Sequence, residues 1–540
     1  MAEDSSSPSG EKLNTRAAGI ISLAVMCSRL LGLAREQIFA ALFGGGRAMD
    51  AFTVAFRTPN LLRDLFAEGA LSTAFVTTFS RTIARQGDDA AWRLANKVGT
   101  LTAMFLTVLA LLGMLIAPWL VALFAPGFDP AKAALTVTLA RVMYPFIVLV
   151  SLAALVMGLL NAKNVFGMPA MASSFFNLGS IAGGVILGYW LDPHFGPRAV
   201  LGLAVGTLVG GALQLAVQLP SLRRVGYLFR PDFAWRDQGI RDILRLMGPS
   251  VIAASTTQVN VLINSMFAST LGDGPIFWLS IAFRLMQLPL GLFGVALGTV
   301  TLPLLARVAA VGDMTTFRSE LARGMRLAFI LTIPATLGLM LLAEPIISVL
   351  YQHGRFTAYD AAQAAGALRF YAIGLAGYAA LKVLVNAFYA LDRRRTPMLV
   401  SFIAVGVNLA LNYVFTFRLG WGHRGLAFST GCVATLNFLI LYLLMRRQLG
   451  RLHTQRMAAT LGKVLLAAAL LAAICWLGSH WLLADWAHMR FLPKLGALAA
   501  TIGVAAAGFV GTALLLRIGD VDDIAAAIRR RLARRRQSAT

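Results

Sequence analysis

The sequence predicts an all-α polytopic membrane protein of about 14 transmembrane helices: two parallel-repeat six-helix lobes plus two C-terminal helices. Three observations lead there. Of the 540 residues, 58% are hydrophobic and only 13% charged, and the mean hydropathy is +0.73; a soluble domain is nearer a quarter charged. The apolar residues fall in runs long enough to cross a bilayer core of roughly 30 Å. The segments between the runs alternate between arginine-rich and nearly uncharged.

Residues 1–16 are polar and rich in Ser and Pro, which predicts a disordered cytoplasmic N-terminus. The apolar stretch 17–43 is too long to be the core of a cleavable signal. Further spans are predicted at 50–79, 98–120, 133–160, 166–190, 199–219, 246–271, 276–306, 327–350, 361–390, 397–417, 424–445, 459–483 and 493–516. Only helices and closed barrels satisfy their backbone in lipid, and these runs are too long and continuous for barrel strands.

One set of connections carries Arg81, Arg85, Arg93 and Lys97, then Arg223, Arg224, Arg230, Arg236 and Arg241, then Arg307, Arg318 and Arg323. Arg393, Arg394 and Arg395 follow, then Arg446, Arg447, Arg451 and Arg456. The other set is nearly bare, with single residues such as Arg47 or Lys132. The positive-inside rule places both termini of an inner-membrane protein in the cytoplasm, and an even number of spans agrees. The net charge is +24, but it lies in these loops and in the tail. No basic face on a soluble module suggests nucleic acid. The tail 518–540 interleaves apolar residues with Arg529, Arg530, Arg531, Arg534, Arg535 and Arg536, which reads as an anchor to anionic lipid.

The chain resembles itself at an offset of about 227. Ala55-Phe56-Arg57 recurs as Ala282-Phe283-Arg284, Arg141 as Arg369 and Pro169 as Pro397. One repeat holds six spans, so the halves are parallel, with lobes at 17–225 and 226–450. Residues 451–517 supply two spans outside the repeat. Duplicated halves rocking about a shared cavity are a recurrent transporter design.

The informative residues are charges inside spans: Arg29, Arg35 and Glu36; Asp50, Arg57, Arg63, Asp64 and Glu68; then Arg141, Arg284, Arg369 and Lys382. An arginine at mid-bilayer costs about 2.5–3.5 kcal/mol. Such residues must face water, carboxylates or an anionic ligand. Arg29 and Arg35 are six apart, so they sit about 120° apart around a helix; Arg57 and Arg63 share that spacing. One reading is a cationic cavity for an anionic head group, which suits the planar fork of Arg. The other is snorkelling with local ion pairs such as Arg35 with Asp50 or Arg63 with Glu68. Pro59, and Pro289 with Gly291, Gly294 and Gly298, mark either hinges or static kinks. Gly202, Gly206 and Gly210 form a small-residue stripe that predicts close helix packing.

Cys27, Cys432 and Cys475 lie in separate apolar runs and read as inert thiols. The six histidines make no metal-ligand spacing, and neither a P-loop nor a nucleophile elbow is present. That argues for a transporter rather than an enzyme, without a cofactor, drawing on an ion gradient such as Na+ or on the membrane potential.

Ser28-Arg29-Leu30-Leu31-Gly32-Leu33-Ala34-Arg35-Glu36 resembles the opening signature of the MurJ (MviN) lipid II flippases. The stretch from Asp50-Ala51-Phe52 to Arg63, then Phe66-Ala67-Glu68-Gly69-Ala70, is similar to their second span. Arg284-Leu285 with Pro289, Gly294-Val295-Ala296-Leu297-Gly298-Thr299, and Gln352-His353-Gly354-Arg355-Phe356-Thr357 extend the likeness over nearly the whole chain. The resemblance implies the superfamily that also holds MATE drug exporters and polysaccharide flippases. It implies alternating access that carries lipid II, the undecaprenyl-diphosphate-linked peptidoglycan precursor, to the periplasmic leaflet. It makes Arg29, Arg35, Arg63 and Arg284 cavity arginines, Asp50 their acidic partner and Arg57 a basic position; Glu68 lies in a motif without an assigned role. The two extra helices would line a groove for the lipid tail. Some members bind sodium in the second lobe, with ligands that do not map here. Lipid II and the phospholipid bilayer are the implied partners, beside cell-wall synthesis or division proteins, and nothing demands more than a monomer. The alternatives are a flippase for another lipid-linked oligosaccharide and a cation-coupled multidrug exporter; the exporter would want acidic cavity residues.

Overall fold

The computed structural model describes residues 15–65, 71–450, 452, 454–483, 489–523 and 526. Among the described residues there is no strand, and the chain folds into helices that form two compact units. The first unit comprises residues 1–39, 51–121 and 130–255. It holds most of α1 (Thr15–Phe43), α2 (Arg47–Arg63), α3 (Ser72–Gln86), α4 (Asp88–Phe124), α5 (Pro130–Met143) and α6 (Phe146–Ala162). It also holds α7 (Gly167–Leu191), α8 (Val200–Ala216), α9 (Leu219–Arg224) and the first half of α10 (Gln238–Ser269). The second unit comprises residues 40–50, 122–129 and 256–540. It holds α11 (Pro275–Pro289), α12 (Ala296–Ala310), α13 (Met314–Leu341), α14 (Ala343–Tyr351), α15 (Ala358–Ile373) and α16 (Leu375–Ala390). Then come α17 (Arg395–Tyr413), α18 (His423–Leu449), α19 (Thr454–Trp481) and α20 (Phe491–Leu515). The sequence repeat puts a boundary near 225; the compact units divide instead at Ser255 and Thr256, inside α10.

Ten helices among the described residues are long and apolar enough to cross a membrane, or eleven with one bent pair. The expected count of fourteen is not reached by that measure. Helices α1 and α2 carry several of the charges that the sequence marks as informative, and α2 is only 17 residues long. Several predicted spans are also broken. Span 133–160 is α5 and α6 in one line, interrupted at Tyr144-Pro145. Span 361–390 bends by 42° between α15 and α16. Span 276–306 contains a π-helical stretch, Leu290–Val295, immediately after Pro289. Pro lacks the N–H that would continue the α ladder, so a widened turn follows it.

In the first unit the glycine stripe packs as expected. A Cβ at Gly202 would strike the Gly188 backbone, one at Gly206 the Gly184 backbone, and one at Gly210 would lie 2.5 Å from the Phe176 carbonyl. Helices α7 and α8 therefore touch backbone to backbone, a geometry open only to small residues. In the second unit α19 and α20 pack on α13 around Val464, Ala467, Ala468, Leu471 and Phe509. Past α20 the chain is pinned by Arg326, whose Nε donates to Asp520 at 2.7 Å and whose Nη2 donates at 3.2 Å; Arg323 donates to Asp523 at 3.1 Å.

Candidate functional site

In the first unit Arg35 is half-buried on α1, with its guanidinium 5.1 Å from the centre of the Phe176 ring on α7. Phe176 packs on Phe146 at 5.5 Å, and Phe146 on Phe56 at 5.7 Å. An aromatic shelf thus supports Arg35 from α2, α6 and α7, a cation–π contact that orients the charge without neutralising it. Beside it the Asn177 side-chain amide donates to the Ser28 carbonyl at 3.1 Å and to the Ser173 carbonyl at 3.0 Å, fixing α1 where Arg29 emerges. Arg29 itself is exposed. Arg57 follows Phe56 of the shelf and is half-buried.

Arg63 closes α2 and pairs with its neighbour: Nη2 donates to Asp64 Oδ1 at 2.9 Å and Nε to the same oxygen at 3.2 Å. The Asn60 amide reaches Asp64 Oδ2 at 3.3 Å. Asp64 is thus a local partner of Arg63; Glu68, the partner considered from sequence, lies outside the described residues.

Asp50 and Arg284 belong to the second unit. Asp50 is fully buried and holds the start of α11: Oδ2 accepts from the Gly274 N–H at 2.7 Å and Oδ1 from the Phe277 N–H at 2.9 Å. The local sequence Gly274-Pro275 explains why. Pro275 suits the first helical position, but Gly274 has no side chain to cap it. A carboxylate from elsewhere in the chain fills that place, where the helix N-terminus favours negative charge. Gly274 also has φ +108°, open only to glycine. Sequence reasoning missed this role, although the uncapped Gly-Pro helix start was the available signal. Arg47 joins the same region, donating to Asp129 at 2.5 Å.

Arg284 is half-buried on α11, five residues ahead of Pro289 and the π-helical stretch. Asn386 of α16 donates to the Gly298 carbonyl at 2.9 Å just past that stretch. The repeat-related pair Arg141 and Arg369 is exposed and locally partnered: Arg141 donates to the Met114 carbonyl at 3.2 Å, and Arg369 to Glu344 at 3.2 Å.

Among the described residues no cluster of three His, Cys, Asp or Glu could hold a metal ion. The oxygen-rich node of the second unit is neutral. Asn412 of α17 donates to Asn264 Oδ1 of α10 at 2.8 Å and to Asn408 Oδ1 at 3.0 Å, and Ser429 of α18 donates to Asn412 Oδ1. These amides bond to one another, the Asn408 Nδ2 group is buried without a hydrogen-bond partner, and the node brings no carboxylate.

A family model described as lipid II flippase MurJ matches residues 39–496. The chain is 37% identical to the lipid II flippase MurJ of Burkholderia cenocepacia over 506 residues, which cover 92% of this chain and 96% of that one. Among solved structures, a lipid II flippase MurJ in an inward closed conformation superposes with a TM-score of 0.72 at 23% identity, covering 92% of this chain and 99% of the other. An inward-facing MATE multidrug resistance transporter of the MOP superfamily superposes at 0.62 with 17% identity, covering 83% and 97%.

Proposed function

The chain belongs to the lipid II flippase MurJ family, and from that premise we propose that it carries lipid II from the cytoplasmic to the periplasmic leaflet of a bacterial inner membrane by alternating access. It is a multi-pass membrane transporter and not an enzyme. The observation that carries the reading is the set of partly buried arginines inside predicted spans: Arg35 and Arg57 in one unit and Arg284 in the other. Charge at that depth is retained where it meets water or an anionic ligand. A diphosphate supplies two or more acceptor oxygens to each guanidinium fork.

Arg35, Arg57, Arg284 and the exposed Arg29 are the residues we assign to the head group, with Arg63 held ready by Asp64. Asp50 supports α11 and acts on Arg284 through that helix. The two lobes alternate about the arginines, and α19 and α20, which carry few charges, offer an apolar wall to the lipid tail. Both termini lie in the cytoplasm on this reading. Energy comes from an ion gradient such as Na+ or from the membrane potential. Moving a negative head group out of a negative interior is favoured by about 2.3 kcal/mol per charge per 100 mV.

Cells depleted of their own lipid II flippase, expressing this chain, test the substrate. The expected result is lipid II returned to the periplasmic leaflet, where an externally added lipid II-cleaving enzyme reaches it. Restored export of a different lipid-linked oligosaccharide, with lipid II still inaccessible, would overturn the assignment.

A further inference from the structure

Between α9 and α10 the chain runs as an extended strap, residues 225–237, wholly within the first unit. It is fastened to α4 at three successive points. The Arg230 N–H donates to Asn96 Oδ1 at 3.0 Å, the Asp232 N–H donates to Thr100 Oγ1 at 3.0 Å, and Lys97 Nζ donates to Asp237 Oδ2 at 2.6 Å. Tyr227, Ile240 and Ile243 turn inward and pack with Phe79, Leu94 and Val98. The opposite side is unlike a soluble loop: Leu228, Phe229, Phe233 and Trp235 are each more than half exposed. Arg223, Arg224, Arg230, Arg236, Arg241 and Arg245 are exposed as well.

The depth of the strap can be read from α4. Its first ten residues contain Asp88, Asp89, Arg93 and Lys97; from Val98 to Phe124 there is no charged residue. That apolar stretch of 27 residues spans about 40 Å, enough for the hydrocarbon core. The fastening residues Asn96, Lys97 and Thr100 therefore mark the edge of the hydrocarbon, and the strap lies at the level of the head groups. Exposed Trp and Phe interleaved with Arg are the side chains stable at that level, with rings at the acyl boundary and guanidiniums among phosphates. Arg236 already lies over the Trp235 ring, 4.7 Å from its centre, which aims both at the same face. Between residues 223 and 245 six arginines face three aspartates, one of which, Asp237, is taken by Lys97.

We propose that this strap is a binding site for anionic phospholipid head groups of the adjoining leaflet, with Arg223, Arg224, Arg230 and Arg236 holding phosphate and Phe229, Phe233 and Trp235 seated at the acyl boundary. The site rests on the membrane reading of the fold and is independent of which lipid-linked substrate is carried. The fastening to α4 keeps the face in place without lipid, so binding needs no folding of the loop.

The full chain, reconstituted in vesicles of phosphatidylcholine with a fixed fraction of phosphatidylglycerol, tests it without any transport assay. One lipid at a time carries brominated acyl chains, and Trp235 fluorescence is obtained as the difference between wild type and Trp235→Phe. The expected result is at least twofold stronger quenching by brominated phosphatidylglycerol than by an equal amount of brominated phosphatidylcholine. That preference should vanish in the Arg230→Gln/Arg236→Gln variant, whose exposed positions leave the fold intact. Equal quenching by both lipids would overturn head-group recognition and leave a plain apolar anchor. No quenching by either would place the strap away from lipid, as a surface for a protein partner.

Discussion

Replacing Asp50 separates the two roles that the residue can have. Its carboxylate is fully buried and accepts two backbone N–H groups at the start of α11. Asp50→Ala leaves the Gly274 and Phe277 N–H groups without that acceptor. Each buried donor left unpaired costs about 1–3 kcal/mol. Loss of the negative charge at the helix N-terminus adds about 0.3–1 kcal/mol. We therefore expect a destabilisation of about 2–7 kcal/mol, and roughly half as much for Asp50→Asn, which keeps one acceptor oxygen. Thermal unfolding of the purified protein measures it, together with limited proteolysis at residues 270–275, where the freed helix start should become cleavable. Transport should fall in proportion to the protein lost. If Asp50→Ala keeps the wild-type melting temperature and proteolytic pattern yet abolishes transport, the capping argument fails. Asp50 would then be a substrate-contacting acid, as the sequence alone suggests.

Gly206→Leu should sharply lower the amount of folded protein in the membrane, because even a Cβ there meets the Gly184 backbone; an overpacked core costs about 1–3 kcal/mol, and two touching backbones cannot yield easily. Arg326→Ala should loosen the segment past α20 by about 1–3 kcal/mol, since it removes both hydrogen bonds to the largely buried Asp520 and leaves only Arg323 at 3.7 Å; faster hydrogen exchange over residues 516–523 would show it. Asp237 is held below the usual carboxylate range, first by the hydrogen bond from Lys97. A depressed folded-state value means that its contribution is complete above the ordinary value of 3.8 and is lost as pH falls through the folded value. Trp235 fluorescence in detergent should therefore hold constant from pH 7 to 5 and change only in more acidic solution. Asp237→Asn should remove that acid transition.

Much of this was legible in composition and pattern. Apolar runs announce spans because lipid admits no unsatisfied backbone, and Gly202, Gly206 and Gly210 announce the α7–α8 contact because only glycine permits it. Arg35, Arg57 and Arg284 stand out because charge is expensive in hydrocarbon. What the pattern does not carry is partner choice. Arg63 takes Asp64, its immediate neighbour, although side chains adjacent in a helix point away from each other. Asp50 works as a cap for a helix more than 220 residues away, a tertiary pairing with no local period. Breaks inside spans, such as the turn after Pro289, depend on how neighbouring helices accept a freed backbone.

The most direct test of the cationic-site account is lipid II translocation by the purified protein in vesicles under an applied membrane potential, wild type beside Arg284→Ala, each checked for equal folded protein. Loss of one charge-assisted contact to the diphosphate, about 1.5–3 kcal/mol, predicts a rate lower by a factor of about 10 to 150. A well-folded Arg284→Ala protein that moves lipid II at the wild-type rate would contradict the account.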